Sequence, residues 1–72
     1  MELPKPYKDC IVKYRKHSEG RTIIKTKRGF WDGESFAIPP SYRYWNGHLT
    51  PHGWGGDYPS KKDVINWKYC ED

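Results

Sequence analysis

Aliphatic side chains are scarce in this chain. Only 35% of its 72 residues are hydrophobic, with a single Met and a mean hydropathy of −1.08. No apolar run is long enough to span a membrane as a helix. No apolar leader precedes Cys10, since Met1–Lys8 is polar and carries two prolines; a cytoplasmic protein is the expectation. Cysteine is limited to Cys10 and Cys70, without a Cys-x-x-Cys. Two thiols alone cannot build a structural zinc site, and a reducing compartment keeps them free by default. A disulfide between the first and last strands stays open, because it depends on how closely their backbones approach.

Catalytic signatures are missing as well. There is no Walker loop, no Gly-x-Gly-x-x-Gly and no His-Glu-x-x-His. His48 and His52 are four apart, but Gly47 and Pro51 exclude the helix that would put both imidazoles on one face. Ser41 and Ser60 have no base fixed beside them by spacing. The expectation is therefore no enzyme, no metal and no cofactor. No run of five or six like charges occurs, so the chain has no basic tail.

What the chain does have is rings and cations. Aromatic residues make up 17% of it, and at this length a few large rings must replace many aliphatic residues in the core. The net charge of +4 is uneven: residues 1–28 hold nine basic and three acidic side chains, whereas residues 29–72 hold four and six. A basic N-terminal half attracts phosphates or acidic surfaces, or else simply solvates a lysine-protected strand.

The pattern along the chain is β. Residues 1–9, with Pro4 and Pro6, read as an extended lead-in. Cys10–Arg15 alternates, with Cys10, Val12 and Tyr14 on one face. His17-Ser18-Glu19-Gly20 is a turn, and Arg21–Trp31 a second strand in which Gly29 marks a bulge or a close backbone approach. Asp32-Gly33 predicts a two-residue type I′ hairpin, returning through Glu34–Ile38 with Phe36 and Ile38 inward. Pro39-Pro40 ends that strand. Tyr42–Trp45, Asn46-Gly47 and His48–Thr50 repeat the hairpin logic, and Pro51–Ser60 is a ring-bearing loop.

Ser60-Lys61-Lys62-Asp63 fits a relaxed capping box, while Ile65, Trp67 and Tyr69 alternate at strand spacing. A strand after one helical turn is expected. The fold class is mainly β: one small domain over residues 1–72, an antiparallel curled sheet or open barrel of four to five strands, with one short C-terminal helical turn. Closure or pairing into a homodimer would complete so small a sheet.

A strand ending in Lys27-Arg28-Gly29-Phe30-Trp31-Asp32-Gly33, a variable loop, and a terminal Asp63-Val64-Ile65-Asn66-Trp67 resemble the DUF551-like group of small phage and prophage proteins of unknown function. That group often ends in a Val-Thr-His-Trp-Met-Pro-type strand. Asn66 stands here where His is common, and Lys68-Tyr69 replaces Met-Pro. The resemblance covers roughly residues 21–67 and brings no functional residues with it. It implies a phage-type accessory protein in a host cytoplasm, for which inhibiting a host defence component is one common role.

The residues that suit binding are Arg28, Tyr42, Arg43, Tyr44, His52, Trp54, Lys61 and Lys62. Arg28, Arg43, Lys61 and Lys62 supply charge for phosphates or carboxylates, Tyr42, Tyr44 and Trp54 supply stacking faces, and His52 a donor. Such a set reads as a site for an anionic nucleotide or for a host protein that handles nucleic acid. The alternative partner is single-stranded nucleic acid bound along a small β surface.

Overall fold

The structure is a computed structural model that describes residues 2–53 and 55–70. It is mainly β, without a closed barrel. Strands β1 (Cys10–Ser18), β2 (Arg21–Trp31), β3 (Phe36–Ala37) and β6 (Val64–Tyr69) form an antiparallel sheet in the order β3-β2-β1-β6. Strands β4 (Ser41–Trp45) and β5 (His48–His52) form a separate hairpin. A 3-10 turn, Lys61–Asp63, leads into β6. No described helix is long and apolar enough to cross a membrane.

Strand β1 runs three residues past its expected end. Glu19 (φ 51°) and Gly20 (φ 74°) alone make the turn, so that Ser18 pairs with Arg21. The left-handed pair matches the right-handed twist of the strands, which lets the ladder continue to its last rung. The Asp32-Gly33 turn differs in the other direction. Trp31 pairs with Phe36, leaving a four-residue loop in which only Gly33 has a positive φ. Asp32 stays on the normal side of the map because its carboxylate caps the loop, accepting from the amides of Glu34 and Ser35 at 2.8 Å each.

The inner face of the sheet carries the core. Cys10, Val12 and Tyr14 point inward from β1 and meet Trp31, Phe36, Ile38 and Val64, with Trp67 and Tyr69 packed at the margin. Trp31 and Phe36 lie edge to face at 5.1 Å. The sequence alternation put Ile65 with Trp67 and Tyr69. A bulge opposite Lys13/Tyr14 instead turns Val64 inward and leaves Ile65 exposed. Gly29 has no side chain because Ile38 crosses its inner side: a Cβ there would touch Ile38 Cδ1 and sit 2.6 Å from the Ala37 carbonyl oxygen.

The segment after the β4–β5 hairpin returns over this core. Asp57 exchanges both backbone hydrogen bonds with Ile38, at 2.8 and 2.9 Å. Its carboxylate accepts from the Tyr14 hydroxyl at 2.5 Å and from Lys16 Nζ at 2.7 Å. Burial pushes the Asp57 carboxyl up, but the bonds from Lys16 and Tyr14 outweigh it and hold the group below its usual value.

A carboxylate depressed in the folded state stabilises the fold above its unfolded value, about 4, and that contribution is lost as pH falls through the folded value. Asp32 and Asp63 are depressed in the same sense. Urea midpoints should therefore fall steadily below about pH 5. Asp57→Asn should cost about 1–3 kcal/mol at neutral pH and flatten the acid limb; an unchanged limb would show that Asp57 does not carry it. Gly29→Ala should cost about 1–3 kcal/mol by overpacking, read in the same assay, and a neutral result would mean that Ile38 moves aside freely.

Candidate ligand-binding site

The outer face of the sheet is bare over most of its area. At the Arg28 end, however, the lead-in and the β4–β5 hairpin rise around it. The hairpin turns on Asn46 (φ 51°) and Gly47 (φ 79°), the left-handed pair that Asn-Gly favours. Its register puts Tyr42, Tyr44, Leu49 and Pro51 on one face and Ser41, Arg43, Trp45, His48, Thr50 and His52 on the other.

Leu49, Thr50 and Pro51 form one wall of a cleft of about 450 Å³. Tyr7, Lys8 and Asp9 form the opposite wall, and Arg28, Phe30 and Cys70 complete it. Tyr7 is held there by its amide, which donates to the Trp31 carbonyl at 2.7 Å. Its ring lies 5.7 Å from that of Phe30 and is 72% exposed. Lys8 Nζ sits 4.4 Å over the ring of Tyr69.

Arg28 is the centre of the polar chemistry. Its guanidinium carbon is 5.5 Å from the centroid of Tyr42, a cation–π distance. Nη2 is 3.8 Å from Asp9 Oδ2, close enough for charge attraction but too long for a hydrogen bond. Arg28 Nε and the Tyr42 hydroxyl are both buried without a hydrogen-bond partner among the described residues. Burial, with Asp9 nearby, pushes the Tyr42 hydroxyl up to about 12, against the pull of Arg28. Next to it, Cys10 is fully buried, its Sγ–H directed at the Lys8 carbonyl oxygen (3.2 Å), and burial raises its thiol to about 11.

The structure therefore joins two of the residues singled out from sequence, Arg28 and Tyr42, and separates the other described ones from them. Tyr44 shares a hairpin face with Tyr42 but stands 77% exposed near the tip. Arg43 projects from the opposite face. His52 is exposed at the end of β5, where its carbonyl accepts from Ser41 Oγ. Trp54 lies outside the described residues. Lys61 reaches over the ring of Trp31 at 5.6 Å, and the carbonyl of Lys62 accepts from Arg15 Nη1; neither lines the cleft.

Tyr7, Lys8, Asp9, Phe30 and Leu49 line the cleft without a motif in the sequence that marks them for binding. The Pro4–Pro6 lead-in was a signal for extended backbone, but nothing local says which strand end it runs beside.

Among the described residues, neither Ser41 nor Ser60 hydrogen-bonds a histidine ring. Ser41 contacts the His52 carbonyl rather than its ring, and Ser60 Oγ donates to Asp63 Oδ2. His17 bridges Thr22 Oγ1 (3.0 Å) and Asp63 Oδ1 (3.2 Å). That chain lies on open surface and ties the 3-10 turn to the β1–β2 hairpin. Its hydrogen bond from His17 is the main reason the Asp63 carboxyl is lowered. Among the described residues, no three of His, Cys, Asp or Glu converge as a metal would require.

Compared with protein-family models, curated proteins and solved structures, the chain matches none. The resemblance to the DUF551-like group thus rests on the quoted motifs alone.

The buried Tyr42 hydroxyl makes a direct prediction. A tyrosine whose value is raised in the fold stabilises below its unfolded value, about 10, and loses that contribution as pH rises through the folded one. Tyr42→Phe should leave stability at pH 7 unchanged or higher, since no partner is lost, and should hold it further into the alkaline range. Urea titrations at pH 7 and 10.5 measure both. A loss above about 1 kcal/mol at pH 7 would reveal a hydrogen bond to the hydroxyl.

Proposed function

We propose that the chain is a non-enzymatic binding protein whose cleft takes an anionic nucleotide. The observation that carries this is the placement of Arg28, with Lys8, beside the exposed ring of Tyr7 in a cleft of about 450 Å³. That volume lies within the range of small-molecule sites. A base fits against the exposed ring of Tyr7, which is inclined at 31° to that of Phe30. A phosphate fits at Arg28, whose partner Asp9 is too distant to hold its donors. Such a site gives affinity without turnover.

Taken with the resemblance to small phage proteins, the reading we propose is an accessory factor of the host cytoplasm that inhibits a defence component by withdrawing its nucleotide signal. A second reading is favoured by the hairpin tip. Tyr44 and Trp45 stand 77% and 71% exposed there, next to Arg43. Tyr, Trp and Arg are the residue types that dominate protein interfaces, so the tip suits a host protein partner.

Calorimetry with adenosine and guanosine mono- and diphosphates tests the first reading. At least one should bind, and Arg28→Gln should weaken it about 10- to 100-fold, the worth of a charge-assisted hydrogen bond. Arg43→Gln should leave it unchanged. If no member of the set binds, or if Arg28→Gln binds as well as the parent, the cleft is not a nucleotide site.

A further inference from the structure

The cleft does not end at its own walls. Cys70 borders both the cleft and a second depression of about 250 Å³, shared with Ile11, Lys68 and Tyr69. Ile11 and Lys68 in turn border a third, of about 240 Å³, with Lys13, Thr26, Asn66 and Trp67. The three adjoin as one trough over the outer face of the sheet.

The strand register explains both its course and its charge. Ile11 pairs with Arg28 on one side and with Lys68 on the other, and Lys13 pairs with Thr26 and Asn66. Arg28 and Lys68 are therefore two strand spacings apart, about 10 Å, with Lys13 one rung on, about 7 Å along β1. Arg15, opposite Ile24, lies beyond the row and donates to the Lys62 carbonyl. Asp9 is the one carboxylate among the residues lining the trough. Asp57 and Asp63 are engaged elsewhere, by Lys16 and His17. Between the cations lie a hydroxyl, an amide and the side chain of Ile11. The exposed ring of Tyr7, beside Phe30, stands at the cleft end, whereas Tyr69 and Trp67, which border the other two depressions, are packed against the core.

A row of separated cations that leads to one ring-walled pocket matches a linear polyanion with an aromatic end. We propose that the ligand is a short single-stranded oligonucleotide. One terminal base sits in the cleft, and the sugar–phosphate chain runs over Lys68 and Lys13. This rests on the nucleotide reading of the cleft and names its ligand class. A duplex keeps its base faces inside its own stack and leaves the Tyr7 wall empty, whereas a single strand presents them.

The test compares deoxyadenosine monophosphate with a fluorescein-labelled six-base deoxyadenylate strand, by calorimetry and anisotropy on the full chain. The strand should bind about tenfold more tightly or better. The slope of log K against log salt should be about −2 for the strand, as expected for three phosphate contacts, and about −0.7 for the monophosphate. Lys13→Gln/Lys68→Gln changes only exposed side chains. It should remove most of the strand's advantage, bring its slope close to that of the monophosphate, and leave monophosphate affinity unchanged.

Equal affinity of the parent protein for the two ligands would overturn the proposal while leaving the cleft reading intact. So would displacement of the strand by polyglutamate as readily as by unlabelled strand, which would make the trough a general anion surface. Failure of the monophosphate and the strand alike would overturn the cleft reading itself.

Discussion

The fold depends on what Asp57 joins. Its main chain pairs on both sides with Ile38, and its carboxylate takes the Tyr14 hydroxyl and the Lys16 ammonium. One residue thus closes the segment that follows the β4–β5 hairpin onto the inner face of β1. Lys16 is partly exposed, so its charge contributes modestly. The Tyr14 bond is more sheltered, and Tyr14 is itself a core residue. Gly56 belongs to the same joint: its φ of 97° brings the backbone against the Ile38 carbonyl, where a Cβ would collide. A chain with so few aliphatic side chains cannot cover its sheet by burial alone, and this strap supplies by hydrogen bonding what the core lacks in size.

Closing the inner face leaves the two faces of the sheet unequal. The inner one is sealed by the strap and the 3-10 turn. The outer one is covered only where the lead-in and hairpin meet, and that margin is where the cleft forms. The polar groups follow the same division. Asp57 is engaged on the inner side by Lys16, and Asp63 is engaged by His17 at the far end of β1, whereas Arg28, Lys13 and Lys68 share their part of the outer face with Asp9 alone among the lining acids. Cations stand on both faces, since the register also places Lys16, Lys25 and Lys27 on the inner side, but there Asp57 takes up Lys16.

Local chemistry was legible in the sequence, and contacts between distant segments were not. Strand β2 could be bounded from Gly20 and Asp32, and the inward set Cys10, Val12, Tyr14, Phe36 and Ile38 from alternation alone. Asn46-Gly47 gave its hairpin because both residues adopt left-handed backbone readily. Asp32-Gly33 did not, because the Asp32 carboxylate found two amides to cap and the loop widened around them. Ile65 and Val64 exchanged faces at a bulge, which shifts a strand's alternation without leaving a mark in composition. The site was harder. Arg28 and Tyr42 meet across fourteen residues of sequence, Lys61 is drawn instead to the ring of Trp31, and Tyr7 arrives from a lead-in with no periodic pattern.

The hairpin wall of the cleft has a mechanical consequence. Among the described residues, β4 and β5 exchange backbone hydrogen bonds only with one another. The arm is a cantilever. It is rooted on one side through the Pro39–Pro40 pair, whose rings stiffen the backbone there, and on the other through the chain that returns to pair Asp57 with Ile38. Its free end carries no rung of the main ladder. The gap between arm and sheet can therefore widen or narrow by flexing at the root, without breaking a single inter-strand bond. The cation–π contact of Arg28 with Tyr42 is the link between arm and sheet nearest that root.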